Sequence, residues 1–340
     1  MNEDRLLLEV KNLRTYFFLD EGTVRAVDGA DFEIGRGRTL GVVGESGCGK
    51  SVTAQSILRI VPPPGRIVEG EILFHRFLQG NGSSEVTQVV DLTALNPRGS
   101  EIRSIRGAEI AMVFQELMTS LSPVHTIGNQ IMEAITLHQE VSKAEAREKA
   151  LEMLERVGMP KPSQTIDSYP HQLSGGMRQR GMIAMALSCH PSLLIADEPT
   201  TALDVTTEAQ ILELMGDLQR ELGMAIMYIT HDLGVIAEMA EEVVVMYLGK
   251  VVERADVDSL FYHPQHPYMR ALLKSIPRIG KKSRQRLESI KGVVPDPYAI
   301  PRGCPFHPRC PDFIPGLCNR EEGPWVQVGP GHWARCHLYA

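Results

Sequence analysis

The chain has 340 residues, enough for one large core with an appendage or for two domains. Its apolar and charged fractions, 43% and 23%, are those of an ordinary globular protein, and its formal net charge of −7 argues against nonspecific binding to nucleic acid. No apolar run approaches the roughly 18 residues that a membrane-spanning helix needs, and the acidic start is unlike a secretory signal. We therefore expect a soluble chain that reaches a membrane only through other subunits and does not bind nucleic acid.

Apolar periodicity predicts strands that alternate with helices along the first 250 residues. The predicted strands are residues 6–10, 24–34, 39–43, 193–197, 224–230 and 243–252. The predicted helices are residues 51–60, 142–157, 179–188, 208–222 and 233–240. Ser142 and Glu145 have the spacing of a capping box, and the polar stretch 76–90 predicts a surface excursion. This pattern predicts an α/β fold with a largely parallel core sheet.

Proline and glycine become more frequent after about Phe261, where long periodic elements become rare, and we expect a domain boundary near 255–262. We therefore divide the chain into residues 1–258 and a C-terminal region, residues 259–340. Basic residues outnumber acidic ones between residues 270 and 309, and we favour a solvated connector there over a surface for acidic partners. That stretch includes Lys281, Lys282, Arg284 and Arg286.

A glycine-rich loop follows the short apolar strand 39–43 and precedes a predicted helix. It matches the pattern G-x-x-x-x-G-K-[ST], and we call residues 44–51 the phosphate loop. Successive N–H groups of such a loop form a concave anion site at a helix N-terminus. Lys50 is expected to reach the β- and γ-phosphates of a nucleotide, and Ser51 to offer its hydroxyl to Mg²⁺. The expected nucleotide contacts are Gly44, Glu45, Ser46, Gly47, Cys48, Gly49, Lys50, Ser51 and Val52.

Two acidic residues, Asp197 and Glu198, end the second buried strand. A carboxylate there can hold Mg²⁺, and its neighbour can polarise an attacking water. Alone, the pair would be read as a solvated strand end. Together with the phosphate loop it predicts a site for nucleotide hydrolysis.

Further motifs in the same order make the chain similar to the ATPases of ABC transporters, in the branch that imports oligopeptides, dipeptides and nickel. They are Val113-Phe114-Gln115, Leu173-Ser174-Gly175-Gly176-Met177, Thr201-Ala202-Leu203-Asp204, His231 and, in the C-terminal region, Pro264-Gln265-His266-Pro267-Tyr268. The resemblance implies an α/β fold with a P-loop (RecA-like) core, antiparallel β and helical subdomains, and a small cysteine-rich C-terminal domain. The helical subdomain is expected at about residues 116–190.

The resemblance also assigns roles to individual residues. It implies that Gln115 senses Mg²⁺ and contacts membrane subunits, that Glu198 is the catalytic base, and that His231 contacts the γ-phosphate. Asp197 is the expected Mg²⁺ carboxylate and Asp204 the residue of the D-loop. The signature residues Ser174, Gly175 and Gly176, before a helix that begins near residue 179, are expected to bind the ATP of a second subunit. Phe17 is the favoured adenine-stacking residue, and Tyr16 the alternative.

Four cysteines are concentrated in the C-terminal region with the spacing C-x5-C-x7-C-x17-C, at Cys304, Cys310, Cys318 and Cys336. Four thiolates can hold either zinc or a [4Fe–4S] cluster. Structural zinc sites usually use pairs with two to four intervening residues, which are absent here. Because some close relatives with a similar tail carry a [4Fe–4S] cluster, the resemblance favours that cluster. Zn²⁺, free thiols and disulfides remain alternatives.

The expected function is that of an ATP-hydrolysing motor subunit of a peptide importer. The implied partners are a second ABC ATPase subunit, which we expect to be a paralogue, two integral membrane permease subunits and an extracytoplasmic substrate-binding protein. The chain would then lie on the cytoplasmic face of the inner membrane as a peripheral subunit. The alternatives are a soluble ABC ATPase without membrane partners, a nucleotide-regulated metal or redox sensor, and an importer motor for nickel or oligosaccharides.

Overall fold

The computed structural model describes residues 6–79, 85–115, 120–201, 203–275 and 290–340. These residues divide into two compact units that interleave along the chain. The first unit comprises the stretch that ends at Leu7, Ile34–Thr39 and Leu95–Ile229. The second comprises Leu8–Glu33, Leu40–Ala94 and Thr230–Ala340.

The strands and helices follow each other in the alternating order that the sequence predicts. The strands are β1 (Leu6–Leu19), β2 (Gly22–Gly35), β3 (Thr39–Val43), β4 (Gly65–Gln79), β5 (Glu85–Asp91), β6 (Ile110–Val113), β7 (Leu193–Asp197), β8 (Ala225–Thr230), β9 (Glu242–Tyr247), β10 (Lys250–Asp256), β11 (Trp325–Gly329) and β12 (His332–Arg335). The helices are α1 (Lys50–Ile57), α2 (Ser100–Ile105), α3 (Ile127–His138), α4 (Lys143–Arg156), α5 (Pro162–Thr165), α6 (Gly175–Leu187), α7 (Val205–Leu222), α8 (Leu233–Met239), α9 (Val257–Tyr262) and α10 (Pro267–Ser275). Single 3-10 turns occupy Pro170–Gln172, His307–Arg309 and His337–Tyr339.

In the first unit, β6, β7 and β8 run parallel, as the buried apolar runs predict. Helices α3, α4 and α6 lie between β6 and β7 in the chain and pack against one another. The capping box at Ser142 and Glu145 is confirmed, because each side chain accepts a hydrogen bond from the other residue's backbone N–H. The predicted subdomain of residues 116–190 begins with residues 116–119, which lie outside the described residues.

In the second unit, an antiparallel sheet has the strand order β2-β1-β4-β5. The polar stretch 76–90, predicted as a surface excursion, contains in its described part the end of β4 and strand β5, which pair with Phe74 opposite Val90. Gln88 and Val89 in β5 are exposed. These two strands were not predicted from the sequence, although Ile72 and Phe74, just before the stretch, alternate inward and are fully buried. The connecting residues 80–84 lie outside the described residues.

The second unit also contains the strand that leads into the phosphate loop. Strand β3 pairs in parallel with β9, and β9 pairs antiparallel with β10. The prediction of one strand over 243–252 is wrong, because Leu248 and Gly249, both with positive φ, turn the chain between β9 and β10.

The C-terminal region belongs to this second unit and adds strands to it. Strand β12 pairs with β10, with Glu253 opposite Ala334, and β11 pairs with β12. The division at residue 258 remains a prediction, but strands from its two sides are hydrogen-bonded to each other. A separate cysteine-rich domain is therefore not supported.

A buried carboxylate fixes the start of the C-terminal region to β10. A register irregularity between Val251 and Glu253 turns Glu253 inward, where it is 0% exposed. Its Oε1 accepts from the N–H of Gln265 at 2.6 Å and lies 2.8 Å from Nε2 of His332. Its Oε2 accepts from the N–H of His266 at 2.8 Å. One side chain thus joins β10, the segment before α10 and β12.

Within the described parts of the chain, every helix is too short or too polar to cross a lipid bilayer.

We expect Glu253→Ala to lower the free energy of unfolding by about 3 kcal/mol, because it leaves the buried N–H of His266, the partly buried N–H of Gln265 and the buried His332 without their acceptor. Glu253→Gln retains one acceptor and should cost less. Urea unfolding followed by circular dichroism measures both. As a control, Glu71→Ala at an exposed position of β4 should change stability by no more than about 0.5 kcal/mol. Equal stability of Glu253→Ala and the native chain would contradict this role.

Candidate nucleotide-binding site

The phosphate loop joins β3 to α1 in the second unit, in the strand–loop–helix context that the sequence predicts. Two of its glycines are required by close backbone contacts. A Cβ on Gly44 would lie 2.3 Å from the carbonyl oxygen of Met246, and a Cβ on Gly49 would lie 2.1 Å from that of Ala26. The neighbouring strands therefore leave room only for glycine at these two positions.

The ammonium group of Lys50 lies inside the phosphate loop. Its Nζ donates to the carbonyl oxygens of Gly44 at 2.7 Å and Glu45 at 3.3 Å, and the residue is 5% exposed. Ser51 and Val52 follow in the first turn of α1. The loop thus combines a buried cation with a helix N-terminus, the two features that favour bound phosphate.

Cys48 faces the interior, with 3% of its surface exposed, and burial raises the pKa of its thiol. Its N–H donates to the carbonyl oxygen of Glu45 at 3.2 Å, and its own carbonyl accepts from the N–H of Gly249 at 2.9 Å. The side chain therefore packs beneath the loop, and the predicted contact of Cys48 with a nucleotide would be made by its backbone.

Two side chains of the C-terminal region contact the phosphate loop. The hydroxyl of Tyr268 accepts from the N–H of Glu45 at 2.8 Å. The guanidinium of Arg309 forms a two-pronged ion pair with the Glu45 carboxylate, at 2.6 and 3.0 Å. Sequence reasoning missed both contacts. The only signal was that Tyr268 belongs to the His-Pro-Tyr motif.

A cavity of about 350 Å³ opens beside the phosphate loop within the second unit. This volume is within the range of small-molecule sites. The predicted site residue His231 lines it together with Gly44 and Glu45. The remaining lining residues are Val43, Leu233, Leu272, Ser275, Ile290 and Arg309.

The first unit brings Gln115 and Glu198 together. The Nε2 of Gln115 donates to Oε2 of Glu198 at 2.9 Å, and the hydroxyl of Thr201 donates to the same oxygen at 3.0 Å. Glu198 has a φ of +46°, and its N–H donates to the carbonyl oxygen of Ile229 at 2.8 Å. A left-handed conformation at a residue other than glycine is strained and is concentrated at functional sites. The preceding Asp197 is 4% exposed at the end of β7.

The signature residues form the start of α6. Ser174 is its N-cap and accepts from the N–H of Met177 at 3.3 Å, while Gly175 and Gly176 lie in the first turn. The predicted helix start near residue 179 is therefore wrong by about one turn, because the glycines obscured the cap. A Cβ on Gly176 would lie 2.8 Å from Cγ2 of Thr207, so the close contact with α7 requires a small residue.

The D-loop residue Asp204 is the N-cap of α7. Its carboxylate accepts from the N–H of Thr207 at 3.0 Å and from that residue's hydroxyl at 2.7 Å. These two hydrogen bonds lower the pKa of Asp204, so its carboxylate stays ionised at the helix start. Ala202, in the same motif, lies outside the described residues.

The two aromatic candidates for adenine stacking lie side by side on β1. The hydroxyl of Tyr16 donates to Asp28 at 2.6 Å, and burial together with this bond raises its pKa to about 12. Phe17 on β1 pairs with Gly65 on β4. A Cβ on Gly65 would lie 2.5 Å from the Phe17 ring. Unlike Tyr16, Phe17 has no hydroxyl that a neighbouring carboxylate could hold. Its assignment as the stacking residue remains a prediction.

The four cysteines of the C-terminal region line one pocket, together with Phe306 and His307. Burial raises the pKa of Cys304 to about 11 and that of Cys310 to about 12. No disulfide joins any of the chain's six cysteines. Among the residues that the structure describes, no three His, Cys, Asp or Glu side chains form a group that could hold a metal ion. Neither the zinc alternative nor the [4Fe–4S] cluster is therefore shown, and the cluster stays a prediction.

Comparison with known proteins agrees with these observations. The ABC transporter family model matches residues 27–201, and the model "Oligopeptide/dipeptide transporter, C-terminal region" matches residues 252–318. The chain is 50% identical to a probable peptide ABC transporter ATP-binding protein of Sinorhizobium fredii, over 97% of this chain and 94% of that one. It is 49% identical to the oligopeptide transport ATP-binding protein AppD of Bacillus subtilis, over 98% and 97% of the two chains.

A solved structure is also similar. It is a dimeric ATP-binding cassette in a post-hydrolysis state, bound to ADP and Pi, with 26% identity and a TM-score of 0.62. The match covers 74% of this chain and 99% of that one. The phosphate loop, the carboxylates at the end of β7 and the full-length identities support the same conclusion. The chain belongs to the ABC transporter ATP-binding subunits, in their oligopeptide/dipeptide branch, and is an ATPase.

Proposed function

We propose that this chain is the motor subunit of a membrane importer for peptides and that it couples ATP hydrolysis to uptake. The observation that carries the proposal is 49% identity to the Bacillus subtilis oligopeptide transport protein over 98% of the chain. The match to the C-terminal model of oligopeptide and dipeptide transporters supports the same class of solute. No feature of the described residues favours nickel, oligosaccharides or a soluble role.

The proposed chemistry begins in the phosphate loop. Lys50 and the N–H groups at the start of α1 bind the β- and γ-phosphates of ATP. The hydroxyl of Ser51, the amide oxygen of Gln115 and the carboxylate of Asp197 are oxygen donors of the kind that Mg²⁺ prefers. When bound, Mg²⁺ neutralises charge on the phosphates. His231, which lines the cavity beside the loop, contacts the γ-phosphate in this proposal.

Glu198 is the proposed general base. It takes a proton from the water that attacks the γ-phosphorus, and ADP is the leaving group. The hydrogen bonds from Gln115 and Thr201 restrict its carboxylate to one orientation, which supports this role. The strained backbone at Glu198 is further support.

A second ATPase subunit completes the site in this proposal. The N–H groups of Gly175 and Gly176, with the hydroxyl of Ser174, lie at the N-terminus of α6, where helix dipoles favour anions. They would bind the γ-phosphate of the ATP that the other subunit holds, and Asp204, the N-cap of α7, would lie at the same interface. The similar solved cassette is dimeric, which supports pairing. We favour a paralogue as the partner.

The remaining partners are two integral membrane permease subunits and an extracytoplasmic protein that delivers the peptide. The chain would act as a peripheral subunit on the cytoplasmic face of the inner membrane. In this proposal Gln115 links the permease subunits to ATP hydrolysis. Its neighbour Phe114 is exposed, and its own amide donates to Glu198, the proposed base.

We also propose that the four cysteines of the C-terminal region hold a [4Fe–4S] cluster. Their convergence on one pocket supports a shared ligand, and the other lining residues include the apolar Phe306, Pro267 and Leu338. The spacing C-x5-C-x7-C-x17-C lacks the close cysteine pairs of structural zinc sites, and for this reason we favour the cluster over zinc. When bound, the cluster would keep these buried thiols ionised and cross-link the region.

Replacement of the base gives the first test. We expect Glu198→Gln to bind ATP with near-native affinity but to hydrolyse it at least about 100-fold more slowly, because the amide cannot accept a proton. Equilibrium nucleotide binding and phosphate release measure the two effects. Glu213→Gln, at an exposed position of α7 in the same unit, is the matched control and should keep native turnover. Near-native hydrolysis by Glu198→Gln would remove Glu198 from this role.

Purification from native membranes tests the importer. A tagged chain extracted in mild detergent should bring down two integral membrane proteins and a second ATPase subunit. Mass spectrometry of the small molecules on the associated binding protein should find peptides. A chain recovered without membrane proteins would refute the motor role, whereas nickel or oligosaccharides on the binding protein would refute only the solute.

Anaerobic purification tests the cluster. We expect a brown protein with about four iron and four sulfide per chain, since a cubane cluster contains that number. Cys310→Ser should lose most of the iron, while Cys189→Ser, outside the pocket, should keep it. A colourless, iron-free native chain would contradict the cluster, and zinc in its place would assign the pocket to that metal.

A further inference from the structure

Glu45 places a negative charge inside the phosphate loop, between Gly44 and Ser46. Unpaired, this carboxylate would repel the phosphates of a bound nucleotide. The structure pairs it with the planar fork of Arg309, whose two terminal nitrogens contact the two carboxylate oxygens at 2.6 and 3.0 Å. The Arg309 side chain is only 4% exposed, so solvent screens this pair weakly.

Arg309 is held in place by the structure around it. It ends the 3-10 turn His307–Arg309, and its N–H donates to the carbonyl oxygen of Phe306 at 2.9 Å. Its guanidinium also donates to the hydroxyl of Tyr247 at 3.3 Å. Proximity to Glu45 and these hydrogen bonds raise the pKa of Arg309 further, so it stays charged.

The side chain of Tyr268 holds the backbone of the phosphate loop. Its hydroxyl accepts the N–H of Glu45, and its ring packs against Tyr247 and Phe306 at centroid distances of 4.7 and 5.4 Å. We call Tyr247, Tyr268 and Phe306 the aromatic cluster. The Glu45 peptide that Tyr268 orients is the one that joins Glu45 to Gly44, whose carbonyl oxygen accepts from Lys50. The aromatic cluster therefore fixes the peptide group whose carbonyl oxygen holds the ammonium group of Lys50.

We propose that Arg309 and Tyr268 are positioning residues through which the C-terminal region sets nucleotide affinity. Arg309 neutralises Glu45 and draws its carboxylate toward the C-terminal region. The hydroxyl of Tyr268 accepts a hydrogen bond from the N–H of Glu45 and so holds the start of the phosphate loop in one conformation. Neither residue takes part in the chemical step, so the effect is on ATP binding and not on turnover at saturation.

Removal of the positive charge of Arg309 tests the proposal. We expect Arg309→Ala to raise the Kd of the full-length chain for ATP and ADP by about tenfold, because one uncompensated carboxylate then lies beside the phosphates. In the complex with its partner subunits, kcat at saturating ATP should stay within about twofold while KM rises. The loss of affinity should shrink as salt concentration increases.

A second substitution separates charge compensation from folding. Arg309→Ala combined with Glu45→Gln should recover most of the lost affinity, since the repelling charge is gone. Arg309→Lys, which keeps the charge without the fork, should be intermediate. Tyr268→Phe retains the ring and should weaken binding by a few fold through the lost acceptor. Arg302→Ala, at an exposed position of the C-terminal region, is the control and should bind as the native chain does.

Native affinity in Arg309→Ala would overturn the proposal. So would an affinity loss that Glu45→Gln does not reverse, or a fall in kcat with an unchanged KM, since each would point to a general structural effect. If Arg309→Ala shows no cooperative thermal unfolding, it does not fold. The Arg309→Lys and Tyr268→Phe variants then decide the outcome in the same binding experiment.

Discussion

The shape of the phosphate loop depends on close backbone packing around it. The carbonyl groups of Met246 on β9 and Ala26 on β2 lie so near Gly44 and Gly49 that no side chain fits. The N–H of Gly249, in the turn after β9, donates to the carbonyl of Cys48 and closes a third side. A loop confined in this way presents its N–H groups without paying the entropy of ordering when a phosphate arrives. The proposed hydrolysis, with Glu198 as the base, depends on a phosphate loop that is already formed.

The C-terminal region extends the same confinement. Glu253 fixes the segment before α10 and strand β12 to β10, and this attachment places Tyr268 and Arg309 against the loop. The His-Pro-Tyr motif thus has two physical tasks. His266 donates its N–H to Glu253, while Tyr268 receives that of Glu45. The region is in this sense part of the nucleotide-binding unit and not an appendage to it.

The sequence predicted the features that depend on local chemistry. The strand–loop–helix around Lys50, the capping box at Ser142 and the end of α7 at Gly223 each follow from a few neighbouring residues, and the structure has all three. It also predicted, through family resemblance, that Gln115 and Glu198 belong to one site, and they are hydrogen-bonded.

The features that sequence reasoning missed depend on contacts between distant residues. Polar residues in the stretch 76–90 hid the β4–β5 pairing, and the apolar residues on both sides of Gly249 and Lys250 hid the break between β9 and β10. The ion pair of Arg309 with Glu45 spans 264 positions, and no periodicity or spacing announces it. Buried polar pairs of this kind become visible only once the strands that carry them are placed.

The central claim is that ATP hydrolysis on this chain drives peptide uptake, and transport in a reconstituted system tests it most directly. The complete complex in liposomes, supplied with binding protein and a labelled dipeptide, should accumulate the peptide only when hydrolysable ATP reaches the side on which this chain lies. Accumulation that is equal with and without ATP, or steady ATP hydrolysis that never moves peptide, would contradict the account.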